Sequence, residues 1–218
     1  KVATSLLIDI SSMGFSKSKA VKDYFLGLLI GFLMFSSSVF LSFSLGTLSY
    51  EGFVLGNSLG IILIFFLGFF FQGASEEILL RGYFMISLTT RAPIIVAVLL
   101  NSTVFAIMHT LNNGITVLSI INLTLFGIFA SIYTLKANNL WGICAIHTIW
   151  NFVQGNVYGI RVSGMELKAS IFSFSPTKHG TLINGGDFGL EGGLAVTLVL
   201  FLSIIITMFI KGRSVSQY

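Results

Sequence analysis

Six apolar stretches, at about 23–47, 57–88, 93–110, 116–135, 139–158 and 192–210, leave this chain few folds to choose from. A helix needs roughly 20 apolar residues, each rising 1.5 Å, to cross the hydrocarbon core of a bilayer. The 218 residues are 55% hydrophobic and 9% charged, whereas a soluble domain carries roughly a quarter charged residues. Soluble packing cannot hide that much apolar surface, so lipid is the expected solvent for much of it. The expected fold is an all-α integral membrane protein, a polytopic helical bundle with about six transmembrane helices. The stretch 57–88 is too long for one perpendicular span. It is expected to be tilted or broken, with Gly68 and Gly73 as candidate weak points.

The turns Thr89–Arg91, Leu111–Ile115 and Lys136–Asn138 are short, which makes the helices they join antiparallel neighbours. The long connection, 159–191, is rich in Gly and Ser and contains Pro176. It is expected at the surface, partly folded back on the bundle. This divides the chain into 1–56 with the first helix, a helical core at 57–160, a loop at 161–191, and 192–218 with the last helix and a basic tail.

With the N-terminus in the cytoplasm, Lys17, Lys19, Lys22, Arg91, Lys136, Lys211 and Arg213 all fall inside. Arg161, Lys168 and Lys178 fall outside, in the long connection. Basic residues favour the cytoplasmic side, so both termini are expected there. The net charge of +4 comes from residues scattered at segment ends and is no nucleic-acid signal. Residues 1–23 are mixed and hold no apolar stretch of signal-peptide length. The sequence begins at Lys1 and says nothing of what precedes it. The single cysteine, Cys144, reads as a small core residue, and the redox compartment stays open.

Against this background some polar residues stand out. Glu76, Glu77 and Arg81 follow Ile61–Phe71, an almost purely apolar run. A charged side chain at mid-membrane costs about 2.5–3.5 kcal/mol on insertion scales. Glu77 and Arg81 are four apart and can pair on one helix face, while Glu76 lies about 100° around the helix. One glutamate can therefore neutralise the arginine while the other stays free for chemistry. His109 ends the third stretch, one turn after Phe105. His147 and Asn151 lie one turn apart on the fifth. A histidine and an amide on one face can both donate to one oxygen, as an oxyanion requires. A glutamate near a histidine can hold and deprotonate a water. Taken singly, such residues are also common interhelical glue, and a Glu–Arg pair can be a structural lock. The remaining histidine, His179, reads as a solvated loop residue.

Glu76-Glu77-x-x-x-Arg81, then Phe105-x-x-x-His109, then His147-x-x-x-Asn151, in that order, resembles the CPBP family. These are the CAAX proteases and bacteriocin-processing enzymes, also called the Abi family, which includes the Ras-converting endopeptidases. The resemblance covers about 57–160. Asn112-Asn113-Gly114, Leu140-Trp141-Gly142 and Tyr158–Gly164 look like bacterial members, which implies a bacterial cytoplasmic membrane. So does Gly185–Gly193, although that stretch reads first as a turn. The resemblance implies an intramembrane glutamate protease. Glu76 and His109 would activate the water, and His147 and Asn151 would hold the oxyanion. Arg81 with Glu77 would orient and support Glu76, and Phe105 would pack beside His109.

No cofactor is implied. A zinc version with one Glu and two His as ligands remains a rival, although the H-E-x-x-H sequence is absent. A non-catalytic scaffold or immunity protein on the same bundle is another, and a transporter a third. The implied partners are the lipid bilayer and a peptide or membrane-protein substrate. Among relatives the substrate ranges from the tails of prenylated proteins to bacteriocins and peptide pheromones. One tension stands in this reading: counted from helix ends, Glu76 comes out deep toward the cytoplasm and His109 near the outer face.

Overall fold

The computed structural model describes residues 14–15, 19–56 and 58–213. The N-terminal stretch with Asp9 and Lys17, the expected helix start at Asn57 and the tail beyond 213 lie outside the described residues. The long helices are α1 (Ala20–Ser44), α2 (Leu59–Thr89), α3 (Ile94–Met108), α4 (Val117–Ala137), α5 (Trp141–Phe152) and α6 (Leu194–Phe209). They follow the six apolar stretches closely. Among the described residues three of them, α1, α2 and α4, are long and apolar enough to cross a membrane, and α3 and α6 are shorter apolar helices.

The centre of the bundle is α5. Every residue from Gly142 to Thr148 is buried, as are Trp150 and Asn151. A helix buried in protein on nearly every face needs neighbours on nearly every face, and α1 and α2 make its most extensive packing. On α1, Gly27 and Gly31 are four apart and face α5. A methyl group on Gly31 would lie 2.7 Å from the Ile146 carbonyl oxygen, and one on Gly27 would collide with the carbonyl of Gly142. This is the small-x-x-x-small contact by which membrane helices bring their backbones together. Gly31→Leu is expected to force α1 away from α5 and to destabilise by about 1–3 kcal/mol or more. The measurement is thermal unfolding in detergent, and an unchanged midpoint would refute the close contact.

The long α2 is not broken at Gly68 or Gly73. It runs through both, and its irregularity is a π-helical turn over Ile78–Met85, directly after the two glutamates. Gly73 serves close approach: a Cβ there would stand 3.0 Å from the Thr148 amide nitrogen on α5. A second π-helical turn, Val153–Val157, continues α5.

The fold is not wholly helical. β1 (Leu48–Phe53) pairs antiparallel with β2 (Phe172–Pro176), with a bulge between Tyr50 and Gly52. The alternation Phe172-Ser173-Phe174-Ser175 has the period of a strand, and its aromatic rings meet those of β1: Tyr50–Phe174 centroids are 5.3 Å apart and Phe53–Phe172 5.8 Å. The connection between α5 and α6 is accordingly more than a surface loop. Val162, Ser163, Ala169, Phe188, Leu190 and Glu191 within it are buried.

The other end of the bundle is tied by ionic contacts. Asp23, at the start of α1, accepts two hydrogen bonds from Arg213, at 2.5 and 2.7 Å, and one from Asn139 at 2.9 Å. Lys136, in the last turn of α4, donates to the carbonyls of Met208 and Ile210 at 3.0 Å each, which satisfies acceptors left free at the end of α6.

Candidate active site

Glu76 and Glu77 stand on adjacent faces of α2, and the structure gives them different surroundings. Glu77 is fully buried. Its Oε1 accepts from Arg81 Nη1 at 3.0 Å and lies 2.8 Å from His147 Nδ1. The expected Glu77–Arg81 pair is present, and Glu77 also reaches His147, which sequence reasoning had not joined to it. Arg81 is equally buried, donates to the Gly127 carbonyl of α4 at 3.3 Å and lies 4.9 Å from the centre of the Phe105 ring. A guanidinium over a ring face is a favourable contact, so Phe105 packs against both Arg81 and His109, the latter at 4.8 Å between ring centres.

Glu76 faces a cavity. Its Oε2 is buried, has no hydrogen-bond partner among the described residues, and lies 3.9 Å from His147 Nε2. That separation is too long for a hydrogen bond. Glu76 Oε1 accepts from the side-chain amide of Gln72, one turn earlier on the same face. Gln72 Oε1 in turn accepts from Asn151 Nδ2 at 2.9 Å. Sequence reasoning missed Gln72. The signal was its i,i+4 spacing to Glu76, masked by the apolar run it ends.

His109 stands at the C-terminal end of α3. Its Nδ1 is 2.8 Å from the Phe105 carbonyl. A carbonyl only accepts, so Nδ1 carries a proton, and in the neutral ring the lone pair is on Nε2. The depth tension disappears because α3 has 15 residues and α2 has 31. The end of the shorter helix meets the longer one near its middle, and both residues lie roughly 20 Å from the α2–α3 turn at 1.5 Å per residue.

Glu76, His109, His147 and Asn151 all line one cavity of about 450 Å³, together with Gln72, Phe105, Phe126 and Trp150. Its roof is Val162, Ser163, Met165 and Leu167 of the α5–α6 connection. Glu191 also lines it and holds that roof in place. One carboxylate oxygen accepts from Ser163 N at 2.8 Å and Ser163 Oγ at 2.9 Å, and the other from Trp150 Nε1 at 3.1 Å. Asn122 of α4 donates to the carbonyls of Glu191 and Gly193 at 2.7 and 2.9 Å. The glycine-rich Gly185–Gly193 therefore does more than turn the chain. Phe65, Met165 and Leu167 also border a second, surface hollow lined by Arg161, Glu166, Lys168 and Asp187. In that hollow Arg161 is paired with Asp187 at 2.7 Å. His179 lies in a short helical turn of the connection, Lys178–Gly180, and does not line the cavity. Among the described residues no three of His, Cys, Asp and Glu are grouped as ligands of one metal ion.

Asn151 can be tested here. Asn151→Ala removes one of the two proposed donors to the developing oxyanion, and about a 10²–10³-fold loss of kcat is expected. A kcat within a factor of three of the parent would remove Asn151 from that role.

Residues 58–153 match the family model described as Type II CAAX prenyl endopeptidase Rce1-like. Comparison with curated proteins and with solved structures gives no match.

Proposed function

The segment 58–153 belongs to the Rce1-like family of type II CAAX prenyl endopeptidases, which are proteases, and on that premise we propose that this chain is an intramembrane glutamate endopeptidase. The observation that carries the reading is the state of Glu76: a carboxylate with one buried oxygen that has no hydrogen-bond partner among the described residues, on one cavity with His109, His147 and Asn151.

A water held between Glu76 Oε2 and His109 Nε2 attacks the scissile carbonyl carbon. Glu76 takes the water proton. The carbonyl oxygen becomes an oxyanion that accepts from His147 Nε2–H and Asn151 Nδ2–H. Glu76 then passes its proton to the leaving nitrogen, the C–N bond breaks, and a carboxylate and an amine result. Charge balance supports the donor role of His147. Two glutamates and one arginine leave the buried cluster one positive charge short, and a protonated His147 closes it. Its Nδ1–H then donates to Glu77 and its Nε2–H points to the cavity. Glu77 and Arg81 support this arrangement without contacting substrate.

The bundle is integral to the membrane, and we assign it about six spans with both termini cytoplasmic. The Asp23–Arg213 end then faces the cytoplasm, and the roofed cavity opens at the opposite end. That orientation favours a small secreted or surface peptide, such as a bacteriocin or pheromone precursor, over a cytosolic prenylated protein.

The experiment compares cells making the wild-type chain with cells making Glu76→Ala, by mass spectrometry of new peptide termini in the membrane and secreted fractions. Termini that require Glu76, and that persist with a chelator present, are expected. Loss on chelation with metal in the purified protein favours the zinc reading, and termini identical in the two strains refute the protease and favour a scaffold.

A further inference from the structure

Gln72 occupies a position that a peptide bond would have to take. Its carboxamide lies between Glu76 and Asn151, the nitrogen donating to Glu76 Oε1 and the oxygen accepting from Asn151 Nδ2 at 2.9 Å. The polarity of this bridge is set by its neighbours. An ionised carboxylate only accepts, so the Gln72 nitrogen faces Glu76 and the oxygen is left for Asn151. A scissile peptide in the proposed reaction presents the same two groups to the same two residues. Its carbonyl oxygen goes to Asn151 and its nitrogen to Glu76, which later protonates it. Gln72 lines the cavity and is only partly buried, so the side chain has room to leave. Gly68, one turn earlier on the same face, has open space around it.

We propose that the Gln72 carboxamide is a built-in stand-in for the scissile amide, filling the amide-binding seat in the free enzyme and swinging out when a substrate peptide takes its place. The inference rests on the assignment of Glu76 and Asn151 to the reaction. It makes Gln72 a residue that sets substrate affinity by competition, and it keeps Glu76 Oε1 and the Asn151 amide paired while the site is empty of peptide. Unpaired, those groups would each carry a desolvation cost. The seat also states a preference. An occupant must offer an acceptor and a donor on one carbonyl carbon, as an amide does and an ester does not.

The test is binding, which does not require turnover. A short apolar peptide, N-acetylated and C-amidated, with D-residues on both sides of its central amide to prevent cleavage, is titrated into the purified full chain in detergent. Removing the competitor in Gln72→Ala is expected to tighten binding about tenfold, as two displaced hydrogen bonds imply. For a cleavable peptide, KM is expected to fall in parallel while kcat changes less than threefold. Gln72→Met keeps the length of the side chain without its hydrogen bonds and is expected to tighten binding too. It gives the answer if the alanine variant folds poorly. Unchanged or weaker binding in the folded variant overturns the proposal, and so does a large fall in kcat at constant KM, which would make Gln72 a prop for Glu76. Tighter binding with no cleavage by the wild-type chain would leave the seat standing and sink the protease.

Discussion

Glu76→Gln is expected to abolish peptide cleavage while leaving a folded bundle. The substitution keeps the shape of the side chain and its contact with Gln72. It removes the group placed to take a proton from water and return it to the leaving nitrogen. Positioned acid–base groups are worth about 10²–10⁴ in rate, and Glu76 serves in both halves of the proposed reaction, so the loss is expected near the upper end. Folding is expected to survive because, among the described residues, Glu76 makes no ion pair closer than 3.9 Å. Removing its charge eases burial rather than breaking a lock. The measurement is single-turnover cleavage with purified protein, alongside thermal unfolding. Retained cleavage would end the glutamate mechanism. Loss of cleavage together with loss of folding would show that Glu76 is structural.

Arg81→Met is expected to do the reverse, costing the fold first and activity as a consequence. Arg81 is wholly buried, paired with Glu77 at 3.0 Å. Removing one member of a buried pair leaves the other charge uncompensated, at about 3–5 kcal/mol. The expected result is a large fall in folded protein recovered from membranes and a lower unfolding midpoint. The double variant Glu77→Gln with Arg81→Met removes both charges and is expected to regain much of the stability. It is not expected to regain activity, because the neutral amide that replaces the Glu77 carboxylate would no longer give His147 a charged partner. An Arg81→Met protein as stable as its parent would refute the lock.

The sequence was a good guide where one residue's chemistry sufficed. Each of the six apolar stretches became a helix, and the i,i+4 spacing of Glu77 and Arg81 matches the pair the structure contains. It failed where a role depends on what comes from elsewhere in the chain. Gln72 alone reads as interhelical glue, and its meaning lies in Asn151, on another helix. Glu191 sits among glycines that read as a turn, and only folding brings it to Trp150 and Ser163. The strands β1 and β2 are short and far apart in sequence, so neither announces a partner. The central place of α5 was likewise not legible, since an apolar run looks the same facing lipid or facing protein.

The Asp23–Arg213 contact joins residues 190 positions apart. At 5–20 residues per second, synthesis of the intervening chain takes roughly 10–40 s. Throughout that interval the carboxylate of Asp23 has no Arg213 to meet, and β1 waits about two thirds as long for β2. The cavity roof is held through Ser163 by Glu191 and cannot be secured before that residue is made. Closure of the site therefore follows synthesis of the α5–α6 connection. A chain released before that connection would carry every residue of the three motifs and still lack the segment that covers the cavity.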